Sequence, residues 1–335
     1  MACAGVAIGA PAPSPRMTYI TDLPTSPSVW VAAADGTSPM YLGLASSALI
    51  SPAGGVVAAV NVDKQTNAWT LSLYPTAAGA AAPTTIIPKR PQPMNLLAWS
   101  PDSRLILVTV GTSPAQLMIV DTTTEQSHAI ATGVIYGASF APGPSDSVVY
   151  ARARLNKAAV NIYTTSSLGA NTHQLTHDGH SEDPLWGPSG IVYSHATARP
   201  KNAYPELQLW QMNANGSGAR QLTTKNWPST LEGLIAVAFS SRNGQHLLAN
   251  LVGPTASNIA EPYTVDLSGP KPVWRDLTGQ GSGYIGEAIS ADGKTILVTK
   301  GTAKDLKALS VVTFPWNGGK PTTIVKQGGY ASWNR

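Results

Sequence analysis

Cysteine and charge are what this sequence lacks most. The chain has 335 residues but a single cysteine, and only 12% of its residues are Asp, Glu, Lys or Arg. A lone cysteine excludes a disulfide framework and a cysteine-ligated metal centre. Scarce charge, together with 31 glycines and 27 prolines, argues against a helical bundle and favours a chain rich in strands and turns.

The charges that are present form no block. The formal net charge of +4 is spread along the chain without a Lys/Arg cluster or a basic amphipathic segment. Because such a cluster is the electrostatic footprint of nucleic-acid binding, we expect no nucleic-acid partner. The apolar runs also fall well short of the about 20 residues that a membrane-spanning helix needs, so no transmembrane segment is predicted.

The first 16 residues differ in composition from the remainder. They include ACAGVAIGAPAPSPR, in which Cys3 lies among small residues and a proline-rich stretch follows. This composition predicts a flexible Pro/Ala-rich tether over residues 1–16 and a folded domain over residues 17–335. It is typical of a disordered terminus or of the end of a lipoprotein signal, in which case Cys3 is a candidate lipid anchor. A body without cysteine fits an exported bacterial protein, periplasmic or extracellular, and membrane-tethered if lipidated.

A strand–turn–strand hairpin recurs along the chain. Its anchor, the bulky residue that ends the first strand, is in turn Ile50, Trp99, Phe140, Trp186, Phe239, Ile289 and Trp333. Successive anchors are about 40 to 50 residues apart, which is the period of four-stranded propeller blades. Between anchors lie an alternating strand, a Gly-containing turn and a short strand that often ends in Leu-Thr, so each period predicts four strands and no helix.

The two ends of the chain complement each other. MTYITDLP, SVWVAAADG and SPMYLGLA, within residues 17–45, have the pattern of a second, third and fourth strand without a first. GGYASWNR at the C-terminus has the pattern of a first strand with nothing after it. Pairing them completes one blade and removes exposed sheet edges. The sequence therefore predicts an all-β fold, a single β-propeller of seven four-stranded antiparallel blades closed by strands from both termini, with six blades as the alternative.

The recurring hairpin, of which AWSPDSRLILVTV is the clearest copy, and the R-x-L-T that follows a strand later in some repeats, as in RQLT and RDLT, resemble the PD40 (WD40-like) repeats of the TolB family of bacterial β-propellers. It is also similar to the propeller domains of prolyl-oligopeptidase-type peptidases and of oligogalacturonate lyase. The resemblance covers residues 17–335 and implies a propeller, whereas fold and function separate readily in this architecture. TolB proteins have six blades, so the count of seven departs from that family.

Neither of two common enzyme motifs is supported by the sequence. GSGYIG at residues 281–286 matches the G-x-G-x-x-G dinucleotide pattern, but strand-like segments flank it on both sides, so it is predicted to be a loop between blades. No G-x-S-x-G motif occurs, and the resemblance to peptidase propellers therefore brings no serine nucleophile. We expect no cofactor.

Carboxylates stand where small residues are expected. Propeller first strands crowd around an axis, yet Asp183 lies three residues before the anchor Trp186 and Glu287 lies two before Ile289. A carboxylate at such a place must be hydrated, paired or ligand-bound. The candidate ligand-binding residues of the channel mouth are Glu182, Asp183, Glu232, Glu287, His177, His180 and Tyr330. The alternative is a water-filled channel with hydrated carboxylates.

Histidines and tryptophans give weaker signals. The segment THQLTHDGHSEDPLWGP holds three of the six histidines, but its spacing matches no compact metal motif, so a solvated loop is favoured and no metal is expected. Most of the nine tryptophans fall at anchors or in strands, where packing between blades accounts for them. Trp227 and Trp316 lie in loop-like surroundings and are predicted to be exposed platforms suited to carbohydrate stacking.

Three functions fit this pattern. The leading one is a non-catalytic, exported or surface-anchored propeller that binds a protein or a cell-envelope component through one face of the ring. The alternative is a carbohydrate-active enzyme of the polysaccharide-lyase or hydrolase type, with Glu182, Asp183 and Glu287 at the channel mouth and His177 or His180 as base. The third is a purely structural repeat module.

Removing residues 1–15 should leave the melting temperature unchanged, because their Ala, Gly and Pro content offers no periodic apolar face to bury. Circular dichroism melts of the full and shortened chains test this. A clear loss of stability would show that the segment packs on the folded domain.

Overall fold

The structure is a computed structural model that describes residues 15–23, 25–79, 81–154, 159–197, 206–224, 232–239, 244–253, 260–279, 283–301 and 308–334. Within these ranges all regular structure is extended, with no helix. Cys3, Trp227 and the predicted tether up to residue 14 lie outside them.

The strands follow one another along the whole described chain. The first fourteen are β1 (Arg16–Thr21), β2 (Ser28–Ala33), β3 (Met40–Leu44), β4 (Ser47–Ile50), β5 (Val56–Asp63), β6 (Ala68–Pro75), β7 (Thr84–Arg90), β8 (Met94–Trp99), β9 (Leu105–Gly111), β10 (Ala115–Asp121), β11 (Gln126–Phe140), β12 (Ser147–Ala153), β13 (Val160–Ser166) and β14 (His173–Gln174). The others are β15 (Ser181–Gly187), β16 (Gly190–Thr197), β17 (Glu206–Met212), β18 (Arg220–Gln221), β19 (Gly233–Phe239), β20 (His246–Val252), β21 (Ala260–Asp266), β22 (Val273–Asp276), β23 (Tyr284–Ile289), β24 (Thr295–Lys300), β25 (Ser310–Pro315), β26 (Thr322–Val325) and β27 (Gly329–Trp333).

Consecutive strands pair into antiparallel meanders. Strands β4 to β7 form one four-stranded sheet and β23 to β26 another. Strands β8 to β14 form a seven-stranded sheet, because the long strand β11 pairs with β10 over its first half and with β12 over its second. Strands β15 to β22 are joined into an eight-stranded sheet by a single parallel pair, Leu207 with Gly233. The prediction of an all-β fold built from antiparallel sheets of four or more strands is confirmed.

The remaining sheet joins the two ends of the described chain. Its order is β27-β1-β2-β3, with β27 antiparallel to β1. Met17 lies opposite Trp333 and Thr18 opposite Ser332. Beyond the strand, the backbone N–H of Arg16 donates to Oδ1 of Asn334 at 2.6 Å. The C-terminal strand therefore covers an edge of β1 that would otherwise expose unpaired backbone groups.

First strands of successive meanders lie against each other. In order, β4 contacts β8, β8 contacts β11, β11 contacts β15, β15 contacts β19, β19 contacts β23, β23 contacts β27, and β27 contacts β4. Hydrogen bonds reinforce these contacts: Ile50 N–H donates to Ser332 Oγ at 3.0 Å, and Trp186 N–H donates to Ser139 Oγ at 2.8 Å. The side-chain amide of Asn250 bonds both the N–H and the carbonyl of Gly286, at 2.9 and 3.0 Å.

The apolar cores lie between neighbouring meanders rather than within one. Strand β9 shows the reason, since Leu105 and Leu107 join one core cluster while Ile106, Val108 and Val110 join another. Side chains alternate across a strand, so a strand buried on both faces reads as an unbroken apolar run. Each fully buried Leu, Ile or Val of this kind contributes about 1.5–3 kcal/mol relative to exposure.

The repeated Ser-Pro-Asp hairpin is held by a small polar network. Ser100 Oγ donates to Asp102 and accepts the N–H of Leu105 at 2.8 Å, while Asp102 Oδ1 accepts the N–H of Arg104 at 3.1 Å. The same three bonds recur in the hairpin of residues 290–295. The polar residues of the repeat therefore shape the turn, satisfying backbone donors that the ladder leaves free.

The segment of residues 281–286 leads into a strand. Residues 284–286 belong to β23, which pairs with β24, and residues 280–282 lie outside the described ranges. A dinucleotide site requires a helix at this point to receive the pyrophosphate. The described part of the segment has a strand there instead.

Deleting residues 329–335 should lower stability sharply, because the change removes β27, uncovers the edge of β1 and deletes the buried Ala331 and Trp333. Losing a buried tryptophan alone costs about 3–5 kcal/mol. Thermal and urea denaturation measure the loss, and a chain shortened by residues 1–14 is the matched control. A chain without β27 that melts with the parent would contradict the importance of this pairing.

Candidate functional site

A cavity of about 620 Å³ lies where the first strands meet, and we call it the axial cavity. Its wall contains residues from β4, β8, β11, β15, β19, β23 and β27. The wall is mainly apolar and includes the anchor aromatics Trp99, Phe140, Trp186, Phe239 and Trp333. Among its described lining residues only Asp183 and Glu287 carry an ionisable side chain. An apolar cavity of this size with few polar groups is typical of a small-molecule site.

β-Bulges explain which residues reach the axial cavity. In five first strands the register with the following strand shifts just before the anchor: β8, β11, β15, β19 and β23. A bulge removes a residue from the ladder and redirects its side chain. Residues at the bulges line the axial cavity: Leu97, Gly137, Asp183, Val237 and Glu287. Glu287 thus occupies the position that Leu97 and Val237 have in other first strands, and Asp183 occupies that of Gly137.

Asp183 sits in a constrained backbone. Its φ of 48° lies in the left-handed region, which costs free energy for residues other than glycine. Its neighbour Gly137 has a φ of 84°, and a Cβ there would lie 3.1 Å from Cα and 3.2 Å from Oδ1 of Asp183. Glycine at position 137 therefore allows the carboxylate to approach. Burial, together with the smaller effects of the charges of Glu182 and Glu232, raises the pKa of Asp183 to about 7.

Asp183 also borders a second cavity, which we call the acidic cavity. It has a volume of about 330 Å³ and is lined by Tyr136, Glu182, Asp183, Leu207, Glu232 and Ile235. Burial and the charge of Glu232 raise the pKa of Glu182, and burial raises that of Glu232. No Lys or Arg is among the described residues that line it. Three carboxylates thus share one small space without a cation beside them, which disfavours their joint ionisation.

Backbone bonds hold Glu232 in place ahead of β19. Its N–H donates to the carbonyl of Val252 at 2.9 Å, and its own carbonyl accepts the N–H of Leu207 at 2.6 Å. Glu182 is fixed by pairing with Ser194 in the neighbouring strand β16. Two adjacent meanders therefore supply the carboxylates of the acidic cavity, one through β15 and one through the segment before β19.

Glu287 lies apart from this group, in the wall of the axial cavity. Burial raises its pKa to about 8, opposed by a hydrogen bond with the side chain of Thr299. The Thr299 hydroxyl also accepts the N–H of Tyr330 at 2.8 Å. Oε1 of Glu287 is buried and has no hydrogen-bond partner. Tyr330 is 40% exposed, and burial together with the charge of Glu287 raises its pKa.

The histidines of the predicted set lie elsewhere. His177 and His180 are exposed, and neither lines the axial or the acidic cavity. The ring of His180 lies 6.4 Å from that of His195, which is 3.9 Å from Asp178. Burial lowers the pKa of His195 although the charge of Asp178 opposes this. In the part of the chain that the structure describes, no group of three or more His, Cys, Asp or Glu side chains is suited to hold a metal.

The structure thus divides the seven predicted site residues into three groups. Glu182, Asp183 and Glu232 share the acidic cavity. Glu287 lines the axial cavity and its charge acts on Tyr330, which does not line that cavity, and His177 and His180 are on an exposed loop. Asp183 links the two cavities because it lines both.

The prediction that Trp316 is an exposed platform is wrong. Trp316 is 7% exposed and stacks on the ring of His246, with centroids 4.0 Å apart and planes 8° from parallel. The backbone N–H of Trp316 donates to the carbonyl of Lys294. This bond folds the segment after β25 back onto the core that contains Ile296. The loop-like composition around Trp316 gave no sign of this burial.

Sequence reasoning missed Tyr136 and Arg152. Tyr136 lines the acidic cavity but stands four residues before its anchor, outside the positions compared between repeats. Arg152 in β12 lies over the rings of Tyr163 at 4.7 Å and Tyr150 at 5.9 Å. The contact with Tyr163 joins strands β12 and β13, so the sequence alone does not reveal it, whereas Tyr150 lies two residues before Arg152 in the same strand.

Comparison with solved structures shows the fold. The chain is similar to TolB from Acinetobacter baumannii, with a TM-score of 0.58 and 15% identity over 92% of this chain and 79% of that one. It is similar to the β-propeller domain of the Trilobed protease from Pyrococcus furiosus, with a TM-score of 0.65 and 11% identity over 93% and 92%. It is also similar to oligogalacturonate lyase in complex with manganese, with a TM-score of 0.55 and 12% identity over 84% and 76%. The fold is therefore a β-propeller similar to that of TolB and of these other proteins.

The comparisons by sequence give no match. No family model matches the chain, and no curated protein sequence matches it. At 11–15% identity these structural similarities establish the fold alone. Function has to be inferred from the site itself.

Stability should depend on pH through Asp183 and Glu287. Their pKa values rise from 3.8 to about 7 and from 4.5 to about 8 on folding. A carboxyl with a raised folded-state pKa contributes stability that is fully present below its unfolded pKa and is lost as pH rises through the folded pKa. We therefore expect the free energy of unfolding to fall between about pH 4 and pH 8.

Glu287→Gln removes the free-energy cost of ionising this buried carboxyl and keeps the shape of the side chain. At pH 8 the variant should be more stable than the parent by about 1–3 kcal/mol, and at pH 4 the two should be alike. Urea denaturation across this range measures the difference, with the exposed Glu125→Gln as the matched control. Parallel stability curves for parent and Glu287→Gln would show that this carboxyl is not desolvated.

Proposed function

We propose that the chain is a non-catalytic binding scaffold built on a closed propeller of seven blades. The cyclic order of contacts among the first strands supports seven blades, and the pairing of β27 with β1 supports closure by strands from both ends. Strand β11 then serves two blades, as the fourth strand of one and the first of the next, which accounts for the seven-stranded sheet. A ring of this kind presents many loops on a rigid frame, which suits recognition.

The partner we propose is a protein with a basic segment, and it binds at the acidic cavity. One observation carries this: Glu182, Asp183 and Glu232 line a single cavity, all with raised pKa values and with no basic residue among its described lining. A Lys or Arg side chain that enters would relieve the mutual repulsion of the carboxylates and gain charge-assisted hydrogen bonds. Tyr136 is 37% exposed and adds an aromatic surface at the same place.

The cellular setting is part of the proposal. We propose that residues 1–16 are a tether, that Cys3 is its lipid anchor, and that the protein is exported to the periplasm or cell surface. The scarcity of cysteine supports export. Within the described residues no helix is long and apolar enough to cross a membrane. Mass spectrometry of the N-terminal peptide from cells tests for the lipid on Cys3.

A carbohydrate-active enzyme is the second candidate. The observation that favours it is a pair of carboxyls in one cavity with pKa values of about 7 and about 8, the range in which a general acid or base operates. The test is incubation with polygalacturonate, with and without Mn²⁺, followed by assays of unsaturated product and of reducing ends. Cleavage that Asp183→Asn abolishes would favour the enzyme, whereas the scaffold predicts none.

A tetralysine peptide should bind the parent and raise its melting temperature, because a ligand of the folded state alone stabilises it by RT ln(1 + [L]/Kd). The double variant Glu182→Gln, Glu232→Gln should lose at least about tenfold in affinity, as expected for losing charge-assisted bonds of about 1.5 kcal/mol or more. Isothermal calorimetry at low and physiological salt measures both, with tetraglutamate as the matched peptide.

Divalent cations distinguish a binding site for a basic segment from a metal-binding site. Ca²⁺, Mn²⁺ and Zn²⁺ are tested by thermal shift on the parent and on an Asp183→Asn, Glu287→Gln double variant. Stabilisation of the parent alone by a metal would raise the enzyme over the scaffold. Equal binding of tetralysine by the parent and by the Glu182→Gln, Glu232→Gln variant would refute the acidic cavity as the partner site.

A further inference from the structure

The axial cavity holds a carboxyl for which the proposed function has no use. Glu287 lines the axial cavity but not the acidic cavity, so a basic segment at the acidic cavity leaves it untouched. Its Oε1 is buried without a hydrogen-bond partner. A buried acceptor without a partner costs about 1–3 kcal/mol, more if it is charged. Such a group in the wall of a sizeable cavity has the features of a ligand-binding atom.

The surroundings of Glu287 determine which ligand fits. The axial cavity has about 620 Å³ of space, and its described ionisable residues are Asp183 and Glu287, both acids. The other lining side chains are mainly aliphatic, proline or aromatic. Two serines of the wall are already engaged, since Ser139 and Ser332 accept backbone N–H groups. The polar side chains of the described wall that are left for a ligand are therefore the two acids, and the other lining side chains are mainly apolar.

We propose that the axial cavity binds a small organic cation, a primary ammonium group carried on an apolar or aromatic body, with Glu287 as the acceptor of the ammonium. The body lies against the anchor aromatics, which also attract cations through their ring faces. An inorganic ion leaves the apolar wall without a partner, and a neutral or anionic molecule leaves the carboxyl unpaired or repelled. The cavity volume is in the range of small-molecule sites, about 300–1,000 Å³.

Thr299 positions the carboxyl. Its hydroxyl accepts the N–H of Tyr330 at 2.8 Å, and its interaction with the Glu287 carboxyl opposes the rise in that group's pKa. Thr299 is fully buried, which limits the freedom of this contact. Glutamine at position 287 retains an oxygen for Thr299 and removes only the charge, so Glu287→Gln is the matched variant.

The test uses 2-phenylethylammonium as the probe, with 2-phenylethanol and phenylacetate as neutral and anionic analogues of similar size. Isothermal calorimetry on the full chain should show binding of the ammonium at least about tenfold tighter than of either analogue. Glu287→Gln should lower the affinity for the ammonium at least about tenfold, since a charge-assisted hydrogen bond is lost. Glu182→Gln changes a residue that lines the acidic cavity and not the axial cavity. It should leave the affinity for the ammonium unchanged within about twofold.

A second readout follows the proton. The pKa of Glu287 is about 8, so pairing with an ammonium near pH 7 requires the carboxyl to give up a proton to the buffer. Tyr330, with its raised pKa, stays protonated, and Asp183 is the other ionisable residue among the described lining of the cavity. Calorimetry in buffers of different ionisation enthalpy should detect proton release in the parent and a smaller release in Glu287→Gln.

The outcomes separate this site from the proposed scaffold. Equal affinity for the ammonium and the alcohol, no effect of Glu287→Gln in a variant whose circular dichroism matches the parent, or no binding at millimolar ammonium would overturn the proposal. Tetralysine binding that depends on Glu182 and Glu232 would survive any of these results. Conversely, a failed tetralysine test leaves the prediction for Glu287 standing.

Discussion

Convergence of the first strands on one axis is the constraint on which both the fold and the site depend. The strands that lead to Trp99, Phe140, Trp186, Phe239 and Ile289 all carry a bulge shortly before the anchor. The bulges turn one residue per strand towards the centre, and that residue is apolar or glycine in three strands and acidic in two. The same crowding makes the hydrogen bonds between first strands possible, including those of Ser139 and Ser332 with neighbouring backbones.

Shape and chemistry are carried by different residues of the repeat. The Ser and Asp of the hairpin, at 100 and 102 and again at 290 and 292, hold turn backbones and take no part in either cavity. The cores between meanders take the apolar residues of both strand faces, so packing alone fixes the arrangement of neighbours. What distinguishes this chain from a bare scaffold is the small set of carboxylates at Glu182, Asp183, Glu232 and Glu287.

These carboxylates make the centre of the molecule electrostatically unfavourable in the absence of a cation. Burial raises the pKa values of all four, and the charges of neighbouring carboxylates contribute to the rise for Glu182 and Asp183. With pKa values of about 7 and about 8, Asp183 and Glu287 are partly protonated at neutral pH. A protein gains stability by replacing such groups, and their presence indicates a use that outweighs the cost. A basic segment at the acidic cavity and an organic cation at Glu287 are separate uses, because Asp183 is the only ionisable residue that the two cavities share among their described lining residues.

The sequence by itself determined the all-β fold and its antiparallel sheets of four or more strands, because strand alternation and turn residues are local signals that recur along the chain. It also located Asp183 and Glu287 as unusual, since each breaks the pattern of residues near its anchor. Only the tertiary structure decided that Glu232 joins Glu182 and Asp183, that Glu287 stands apart with Tyr330, and that His177 and His180 are in neither cavity. It also buried Trp316 against His246. These outcomes depend on where separate meanders meet and on bulges that shift side chains by one position, and neither is encoded in the spacing within a single repeat.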